Sequence, residues 1–315
     1  MQKNNSISKG SALLSALFIM TLVAIAAIAM TTRLQLDIYR TRLTIVSDKL
    51  TLASQAVTFW AMSELTNKNQ VTLSNRQGKL SDFPDKFSTI YPNALIRGSL
   101  YDLQARFNLN NLADKKYRFL FFKLIENTVK NLPPATHRIL VLALEDWLSP
   151  YQPGRGSQSF FNYYLKQKPP YYPSHQFMQK VSEFRLLQGM TPSIYQALLP
   201  YITVLPDSPT PININTASKP VLMALGNGLN ENQVDELIEA RGEKGIQDLN
   251  RISLLLQKLN IRHEDITVES QYFMSVAKIT MEDLHLTTYA ILKRSKDKNG
   301  KISVSLISQS RNSFE

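Results

Sequence analysis

The 315-residue sequence contains no cysteine. This absence excludes disulfide bonds, thiol nucleophiles, iron–sulfur clusters and zinc sites built on cysteine. Histidine is also scarce, and no two of the four histidines lie within 20 positions of each other, so no local histidine motif for a metal exists. Gly-x-Ser-x-Gly, phosphate-loop and HExxH motifs are absent as well. The composition argues against most enzyme classes, and we predict a non-enzymatic protein that acts by binding or assembly.

Acidic residues are fewer than basic ones, with 25 Asp and Glu against 36 Lys and Arg, and the formal net charge is +11. A basic chain favours anionic partners, which include acidic protein surfaces, lipid head groups and nucleic acid, without choosing among them. Apolar residues make up 43% of the chain and charged residues 19%, as in ordinary globular proteins. The length has room for two or three domains of roughly 100–150 residues.

The amino-terminal region holds a run of 20 residues without a charge, from Ser11 to Met30. As a helix, this run would be about 30 Å long, which matches the hydrocarbon core of a bilayer. A cleaved signal peptide is the alternative, but its apolar core spans about 7–15 residues and ends at a small-residue cleavage site. Here the run is longer and continues into helix-compatible sequence. The pattern therefore predicts a retained membrane helix behind a polar leader that carries Lys3 and Lys9.

The helix is predicted to continue past the membrane, because neither glycine nor proline occurs between Ser11 and Arg76. One helix from about Ser11 to Leu65 would measure about 80 Å. Its second half carries an apolar stripe at steps of three and four residues, typical of a helix that packs on a globular head. The stripe comprises Leu43, Val46, Leu50, Ala53, Val57 and Trp60.

The middle of the chain is predicted to be mostly helical. Residues 66–89 are expected to form a loop, and alternation between Leu95 and Leu112 predicts one strand or two short ones. The pair Pro133-Pro134 should separate two helices within Phe119–Leu148, and the proline-rich residues 149–176 are expected to be loop-rich. Further helices are predicted at Val181–Leu187, Pro192–Leu199, Val221–Leu225, Glu231–Arg241 and Leu249–Lys258. Thr216 or Ser218 is a plausible N-cap, with Pro220 in the first helical turn.

The carboxyl-terminal part reads as an antiparallel meander. Alternation predicts strands at Tyr272–Ile279, around 284–292 and around 302–306. Asn299-Gly300 between the last two favours a two-residue type I′ turn. The whole layout predicts an α+β fold with a helical insertion.

Four stretches together resemble the type II secretion minor pseudopilin K family (general secretion pathway protein K). They are Lys9-Gly10 followed by Ser-Ala-Leu-Leu-Ser; Asp102-Leu-Gln-Ala-Arg-Phe-Asn-Leu-Asn-Asn-Leu; the set Leu144-Glu-Asp-Trp, Phe184-Arg-Leu-Leu-Gln-Gly, Leu205-Pro and Ile212-Asn-Ile-Asn-Thr-Ala; and Ser270-Gln-Tyr-Phe. They occur in the family's order. The resemblance implies a pilin-like fold, in which a long amino-terminal helix packs on an antiparallel sheet, with a large all-helical insertion of SAM-like or helix-hairpin-helix-like units.

The resemblance also implies a division of the chain into five segments. Residues 1–10 would be the prepilin leader, and 11–32 the transmembrane part of the first helix. Residues 33–112 would hold the first part of the pilin domain, 113–265 the helical insertion, and 266–315 the last antiparallel strands.

Processing and assembly follow from the same resemblance. The prepilin peptidase would cleave between Gly10 and Ser11, and Ser11 would be N-methylated. Ser15 occupies the fifth mature position, where most pilins have a glutamate that the K family characteristically lacks. Because a buried carboxylate needs a partner such as the terminal ammonium of a neighbour, a subunit without it cannot offer that contact to a subunit above.

The resemblance accordingly implies a tip subunit and assembly initiator of the periplasmic pseudopilus, which drives protein export across the outer membrane. Its partners would be minor pseudopilins I and J, with minor pseudopilin H and major pseudopilin G as further contacts. The protein would sit in the bacterial inner membrane as a single-pass protein, with its amino terminus cytoplasmic and its bulk periplasmic.

Relatives commonly follow the tryptophan with an acidic loop, and calcium binds near this region in the family. Here the residues after Trp147 lack carboxylates and include Arg155. Calcium takes six to eight oxygen ligands, several of them charged, and only Glu145 and Asp146 remain nearby. Calcium is possible as in relatives, but we predict no cofactor and no metal site.

The alternative function is that of a membrane-anchored helix-hairpin-helix DNA-binding protein of competence type. Residues 212–249 contain two short predicted helices joined by Gly226-Asn-Gly228, and such a hairpin can point backbone N–H groups at a phosphate. The following helix is acidic, however, and would repel a nucleic-acid backbone through Glu231, Asp235, Glu236 and Glu239. We therefore predict no nucleic-acid partner and assign the glycines to close helix packing.

Overall fold

The computed structural model describes residues 9–66, 78–88, 91, 93–151 and 158–312. Of the predicted leader, Met1–Ser8 lie outside the described residues, and so does Arg155 of the predicted loop.

Helix α1 spans Lys9–Thr66 and confirms the prediction of a single long helix. Its predicted stripe is confirmed where the helix meets the head: Val46, Leu50, Ala53 and Val57 are buried, and the buried face continues to Leu65. The end of the helix is fixed to the sheet by Arg294, whose Nε donates to the Leu65 carbonyl at 2.9 Å.

The head is built on a five-stranded antiparallel sheet whose strands stand side by side in chain order. The strands are β1 Lys79–Asp82, β2 Ala94–Asp102, β3 Tyr272–Met281, β4 Leu284–Lys296 and β5 Ile302–Arg311. One face of the sheet packs against α1 through residues such as Ile96, Leu100 and Ile279. The other face packs partly against helical structure through Met274 and Val276.

A helical block is inserted between β2 and β3 and has its own hydrophobic core. Phe107, Phe121 and Phe184 lie at its centre and are fully buried. Its α-helices are α2 Arg118–Thr128, α3 Pro134–Leu148, α4 Gln158–Leu165, α5 Pro192–Leu198, α6 Lys219–Met223, α7 Glu231–Arg241 and α8 Ser253–Lys258. Two short parallel pairings, 107–108 with 202–203 and 212–213 with 266–267, hold the block's segments together. The α+β architecture with a helical insertion is therefore confirmed.

The position of the block relative to α1 follows from the strand registers. The insertion leaves the sheet at Asp102 and returns at Tyr272, which lie at the same sheet end because Asp102 pairs beside Phe273. The carboxyl-terminal end of α1 packs at this end, since Ala61 and Leu65 share a cluster with Leu100 and Phe273. The block consequently sits at the end of the head farthest from the apolar half of α1.

Local predictions were wrong or incomplete in several places. The predicted loop 66–89 contains β1, and the loop-rich residues 149–176 also hold α4, which was not predicted. Of the two alternatives for Leu95–Leu112, the structure has two strands, β2 to Asp102 and a two-residue strand at Phe107–Asn108, and Leu103–Ala105 and Leu109–Ala113 form 3-10 turns that end the alternation. Asp102 and Asn108 cause this change, because their side chains accept from backbone N–H groups two positions ahead and so cap those turns.

The turn between β4 and β5 also differs from the type I′ prediction. Gly300 has a φ of 75°, but Asn299 is not in the left-handed region that a type I′ turn requires. The turn is wider, with the Asp297 N–H donating to the Lys301 carbonyl at 3.0 Å. The Asp297 carboxylate accepts from the backbone N–H groups of Asn299 and Lys301, which stabilises the longer loop.

Candidate assembly surface

The first part of α1 is an uncovered apolar surface. Residues 11–42 are exposed along their whole length. An 18-residue window in this helix has a mean hydropathy of 2.6, and none of the window is buried. By length and composition the helix can cross a membrane. An apolar surface of this extent needs lipid or other protein around it.

A second apolar surface runs along α1 beside the head. Its members recur every seven residues, lie off the face that packs on the sheet, and are exposed: Ile38 60%, Ile45 49%, Leu52 52% and Phe59 67%. We call them the heptad stripe. Residues seven positions apart lie nearly above one another on a helix, so these four form one apolar line along an exposed side of α1. The stripe is therefore a surface suited to a helix from a neighbouring chain.

The base of this surface is held against the sheet by an ion pair. The Arg42 guanidinium donates to the Glu282 carboxylate in the β3–β4 turn at 2.7 Å. Ile45 and Val46 lie close by on the same helix and line a shallow depression with Glu282. The pair is largely exposed and contributes little free energy.

A buried carboxylate joins the sheet to the helical block. Asp102 ends β2, and its Oδ2 accepts from Thr216 at 2.6 Å, Ser270 at 2.7 Å and Asn213 at 3.0 Å. Its Oδ1 accepts from the Gln104 N–H at 2.8 Å. Burial raises the pKa of the Asp102 carboxyl from its ordinary value, although all four donors favour the charged form. Besides its own segment at Gln104, Asp102 binds two distant segments, one with Asn213 and Thr216 and one with Ser270, and so holds them in one place.

Three asparagines continue this joint into the block. The Asn108 side chain contacts the Asp207 carbonyl and the Leu205 N–H, and Asn110 bonds the backbone of Met178 and Leu205. Asn111 pairs with the backbone of Thr210 in both directions. All three side chains are buried and hydrogen-bonded, so the asparagine-rich stretch after β2 holds the loop 205–210 in place.

The glycines of the predicted hairpin serve packing. Gly226 has a φ of 58°, and a Cβ there would lie 2.5 Å from the Leu259 carbonyl oxygen. A Cβ on Gly228 would lie 3.0 Å from the Lys123 side chain, which covers that side of the hairpin. The acidic α7 is partly neutralised by pairs such as Lys219–Asp235 at 3.1 Å. The geometry thus assigns the glycines to close helix packing, and the acidic α7 beside the hairpin disfavours the DNA-binding alternative.

Comparisons with known proteins bear on this architecture. Two family models match the chain, both described as type II secretion system (T2SS), protein K, over residues 105–207 and 212–270. The type II secretion system protein K of Klebsiella pneumoniae is 30% identical over 229 residues, which are 67% of this chain and 67% of that protein.

The chain belongs to the type II secretion system protein K family.

Further similarities agree with the family. The protein K of Pseudomonas aeruginosa is 31% identical over 223 residues, and the match spans 66% of this chain and 63% of that protein's length. Among solved structures, a chain from the crystal structure of the GspK-GspI-GspJ complex of enterotoxigenic Escherichia coli superposes with a TM-score of 0.69 at 23% identity. The superposition covers 87% of this chain and 99% of the chain in that complex. That likeness shows the fold, and it confirms the long helix, the antiparallel sheet and the helical region.

The family's processing positions lie in the first turns of α1. Gly10 is helical, and Ser15 is exposed with its hydroxyl donating to the Ser11 carbonyl at 3.0 Å. The Ser15 side chain therefore satisfies itself within its own helix and presents no charge. Cleavage at Gly10, methylation of Ser11 and the assembly role of Ser15 stay predictions.

The loop after Trp147, considered above for calcium, is only partly described, because residues 152–157 lie outside the described part of the chain. Glu145 is paired with Arg118, and burial raises the pKa of Asp146. Within the described residues, no group of three or more acidic or histidine side chains could hold a metal ion. Trp147 before the loop is buried against Tyr164 and serves the core.

Two features of the surface were missed by sequence reasoning. The heptad stripe carried a signal, since Ile38, Ile45, Leu52 and Phe59 stand seven positions apart, but the inward stripe was the one recognised. The local sequence around Asp102 does not show that this residue joins the sheet to the block, because the side chains that donate to it lie 111 to 168 positions away.

Proposed function

We propose that the protein is a non-enzymatic minor pseudopilin that acts as tip subunit and assembly initiator of the periplasmic pseudopilus in type II secretion. The observation that carries this proposal is the two-part exposure of α1. An apolar segment long enough to cross a membrane continues directly into a head-level stripe suited to helix packing. Helix α1 can therefore leave lipid and pack against neighbouring subunits, and its apolar surface is covered in both settings.

The place of the helical block supports a position at the tip. It lies at the end of the head where α1 ends, beyond Leu65 and away from the membrane segment. A subunit stacked above would meet this block before it reached the heptad stripe. Ser15, with no carboxylate to offer a next amino terminus, points in the same direction.

Partners and location follow from the family. A relative of this fold was crystallised as a GspK-GspI-GspJ complex, and we propose minor pseudopilins I and J as partners of this chain, with H and G as further contacts. We propose the inner membrane as its location, with the head in the periplasm. The division into leader, membrane part, pilin domain and helical insertion is part of the same proposal.

The decisive experiment is co-purification of the full chain with candidate I and J pseudopilins of the same organism. The double variant Leu52→Glu/Phe59→Glu places two charges on the heptad stripe and should abolish recovery of the complex. The matched double variant Thr44→Glu/Ser47→Glu adds the same charge on exposed positions outside the stripe and should retain it. No complex with the unmodified chain, although the partners are folded, would exclude the tip assignment.

Processing is tested separately at Gly10. The variant Gly10→Leu should leave an uncleaved precursor when the intact protein is weighed by mass spectrometry in cells that contain the prepilin peptidase. The unmodified chain should lose its first ten residues and gain a methyl group on Ser11. Equal masses for variant and parent, apart from the substitution, would contradict the proposed cleavage between Gly10 and Ser11.

A further inference from the structure

A groove of about 990 Å³ lies between the helical block and the sheet face opposite α1. The strand registers build its sheet side: Arg97 pairs opposite Lys278, and Ser99 pairs opposite Val276, with all four facing away from α1. Arg106, Leu199 and Pro200 of the block form the opposing wall. The cavity is larger than a small ion needs and matches the size of a site for a ligand or peptide segment.

Three cations on the groove walls are without a partner. Within the part of the chain that the structure describes, the side chains of Arg97, Arg106 and Lys278 form no hydrogen bond and no ion pair, although the Asp102 charge acts on Arg106 from nearby. Arg106 is the most constrained of the three, because its Nε is buried without a hydrogen-bond partner. Burial lowers the pKa of its guanidinium, and the nearby Asp102 carboxylate already accepts four other donors. A half-buried guanidinium whose Nε is buried without an acceptor is costly unless an anion binds it.

The acidic side chains of the groove do not fill this need. Asp82 is paired with Lys79 at 2.7 Å and also accepts from Ser99 at 2.7 Å. Asp85 lies exposed at the rim. The floor between the charges is apolar, with Met274 and Val276 from β3. The groove therefore combines a half-buried guanidinium at Arg106, two exposed cations at Arg97 and Lys278, and an apolar floor.

We infer that this groove binds an extended acidic segment of a partner polypeptide, with one of its carboxylates on Arg106 and others toward Arg97 and Lys278. A planar guanidinium fork suits a carboxylate in bidentate geometry. A continuous polyanion such as nucleic acid fits less well, because its phosphates would pass Asp82 and Asp85 at the edge. The groove lies on the sheet face opposite α1, so it stays open when the heptad stripe is covered. The inference is therefore independent of the proposed helix packing.

The test uses the full chain in detergent and a fluorescein-labelled eight-residue peptide of alternating glutamate and threonine. Fluorescence anisotropy should report binding that weakens as salt is raised, since the contact is ionic. The same peptide with glutamine in place of glutamate should bind at least about tenfold more weakly, as expected for loss of charge-assisted hydrogen bonds. Equal binding of the two peptides would overturn the inference.

Variants locate the binding in the groove. Arg106→Gln and Lys278→Gln should each weaken binding of the acidic peptide by about tenfold, and Arg106→Lys should retain part of it. The matched double variant Lys130→Gln/Arg251→Gln removes two exposed charges outside the groove and should bind like the parent. Lys278 is exposed, so its variant tests the groove even if Arg106→Gln destabilises the fold. Parent-like binding by Lys278→Gln and Arg106→Gln, or tighter binding of a duplex DNA oligonucleotide through the same residues, would refute the assignment.

Discussion

At the scale of single residues, the motifs that resemble the K family hold the sheet and the helical block together. Asp102, Thr216 and Ser270 come from three of the resembling stretches, and they meet at one carboxylate. Gln104 adds a second contact to the same place, because its side chain accepts from the Gln271 N–H and donates to the Pro211 carbonyl. These residues are therefore explained by the joint between sheet and block without any catalytic role.

Removing the Asp102 carboxylate should loosen this joint. In Asp102→Ala, three side-chain donors and the Gln104 N–H lose their buried acceptor. Unsatisfied buried donors cost about 1–3 kcal/mol each in principle, but relaxation and release of the buried charge offset part, so we expect a loss of about 3 kcal/mol. Urea unfolding of the purified protein measures this loss.

The control for this variant is Glu269→Ala, which removes an exposed carboxylate next to Ser270. Its unfolding free energy should stay within about 0.5 kcal/mol of the parent. A similar stability for both variants would mean that the Asp102 contacts do not hold the joint.

The roles of single side chains could not be predicted where a partner far away in the sequence determines them. Thr216 was a plausible N-cap from its position before Pro220, but its hydroxyl points to Asp102, 114 positions away. Ser218 occupies the N-cap position of α6 without a side-chain cap bond, and Pro220 is in the first turn as predicted. Local spacing could identify the helix start but not the side chain that would be recruited elsewhere.

At the scale of elements, the contact between α1 and the sheet depends on a glycine. A Cβ on Gly98 of β2 would lie 2.4 Å from Val57 Cγ1 and 2.8 Å from Phe83 Cβ. The variant Gly98→Ala should therefore push the helix and the loop after β1 apart and destabilise the head by about 1–3 kcal/mol. Thermal unfolding followed by circular dichroism measures the effect.

The second variant in this test shortens the side chain that meets the new methyl group. Val57→Ala alone should destabilise the head by creating a cavity. In the double variant Gly98→Ala/Val57→Ala, the total loss should be smaller than the sum of the two single losses, because the methyl group enters the vacated space. Additive losses would show that the close approach of Gly98 to α1 does not limit the packing.

Most helices were predictable, whereas β1 and α4 were not. Helix α1 has no glycine or proline beyond Ser11 and carries an apolar stripe in its second half, and α2 and α3 are separated at the proline pair as expected. The short helices α5, α6 and α7 also lie where they were predicted. Strand β1 has four residues and a register irregularity, which leaves too little alternation to recognise. Helix α4 consists largely of aromatic residues with modest helix propensity, and it is stabilised by tertiary packing such as Tyr164 on Trp147.

Hydrogen bonds between the loop 205–210 and the sheet predict that the stability of the protein depends on pH. Asp207 accepts from Tyr272 and from the Lys293 ammonium, and these hydrogen bonds lower the pKa of Asp207 from its ordinary value of 3.8. Because the folded pKa is the lower one, the stabilisation is present above about pH 3.8 and is lost as the pH falls through the folded pKa.

Asp207→Asn should therefore lower stability at pH 7 and approach the parent in acid. The Asp207 side chain is 53% exposed, so screening limits the expected loss at pH 7 to less than about 1 kcal/mol. Urea unfolding of both proteins at several values between pH 7 and pH 3 gives the difference. A difference that stays constant over this whole range would contradict an ionised Asp207 as the origin of the stabilisation.

At the scale of the whole molecule, α1 has two parts with different surroundings, an exposed apolar part and a part packed on the head, and the change between them takes only a few residues. Up to Arg42 the helix has no buried residue among those described, whereas Val46 and Leu50 are already part of the head's core. The apolar character of the two halves was evident in the sequence, but the point of transition was not. It is fixed by the length of the sheet, whose membrane-side end at Ala94 and Met281 packs against Val46.

Two truncations test this division. A chain that begins at residue 34 loses only exposed helix, so its unfolding free energy should equal that of the full chain in detergent within about 0.5 kcal/mol. A chain that begins at residue 52 also loses Val46 and Leu50 from the core and should be destabilised by about 4 kcal/mol or more. Urea unfolding compares the three proteins. Loss of stability in the first truncation would show that the apolar half of α1 supports the head, and the proposed free exchange of that half between lipid and neighbouring subunits would then fail.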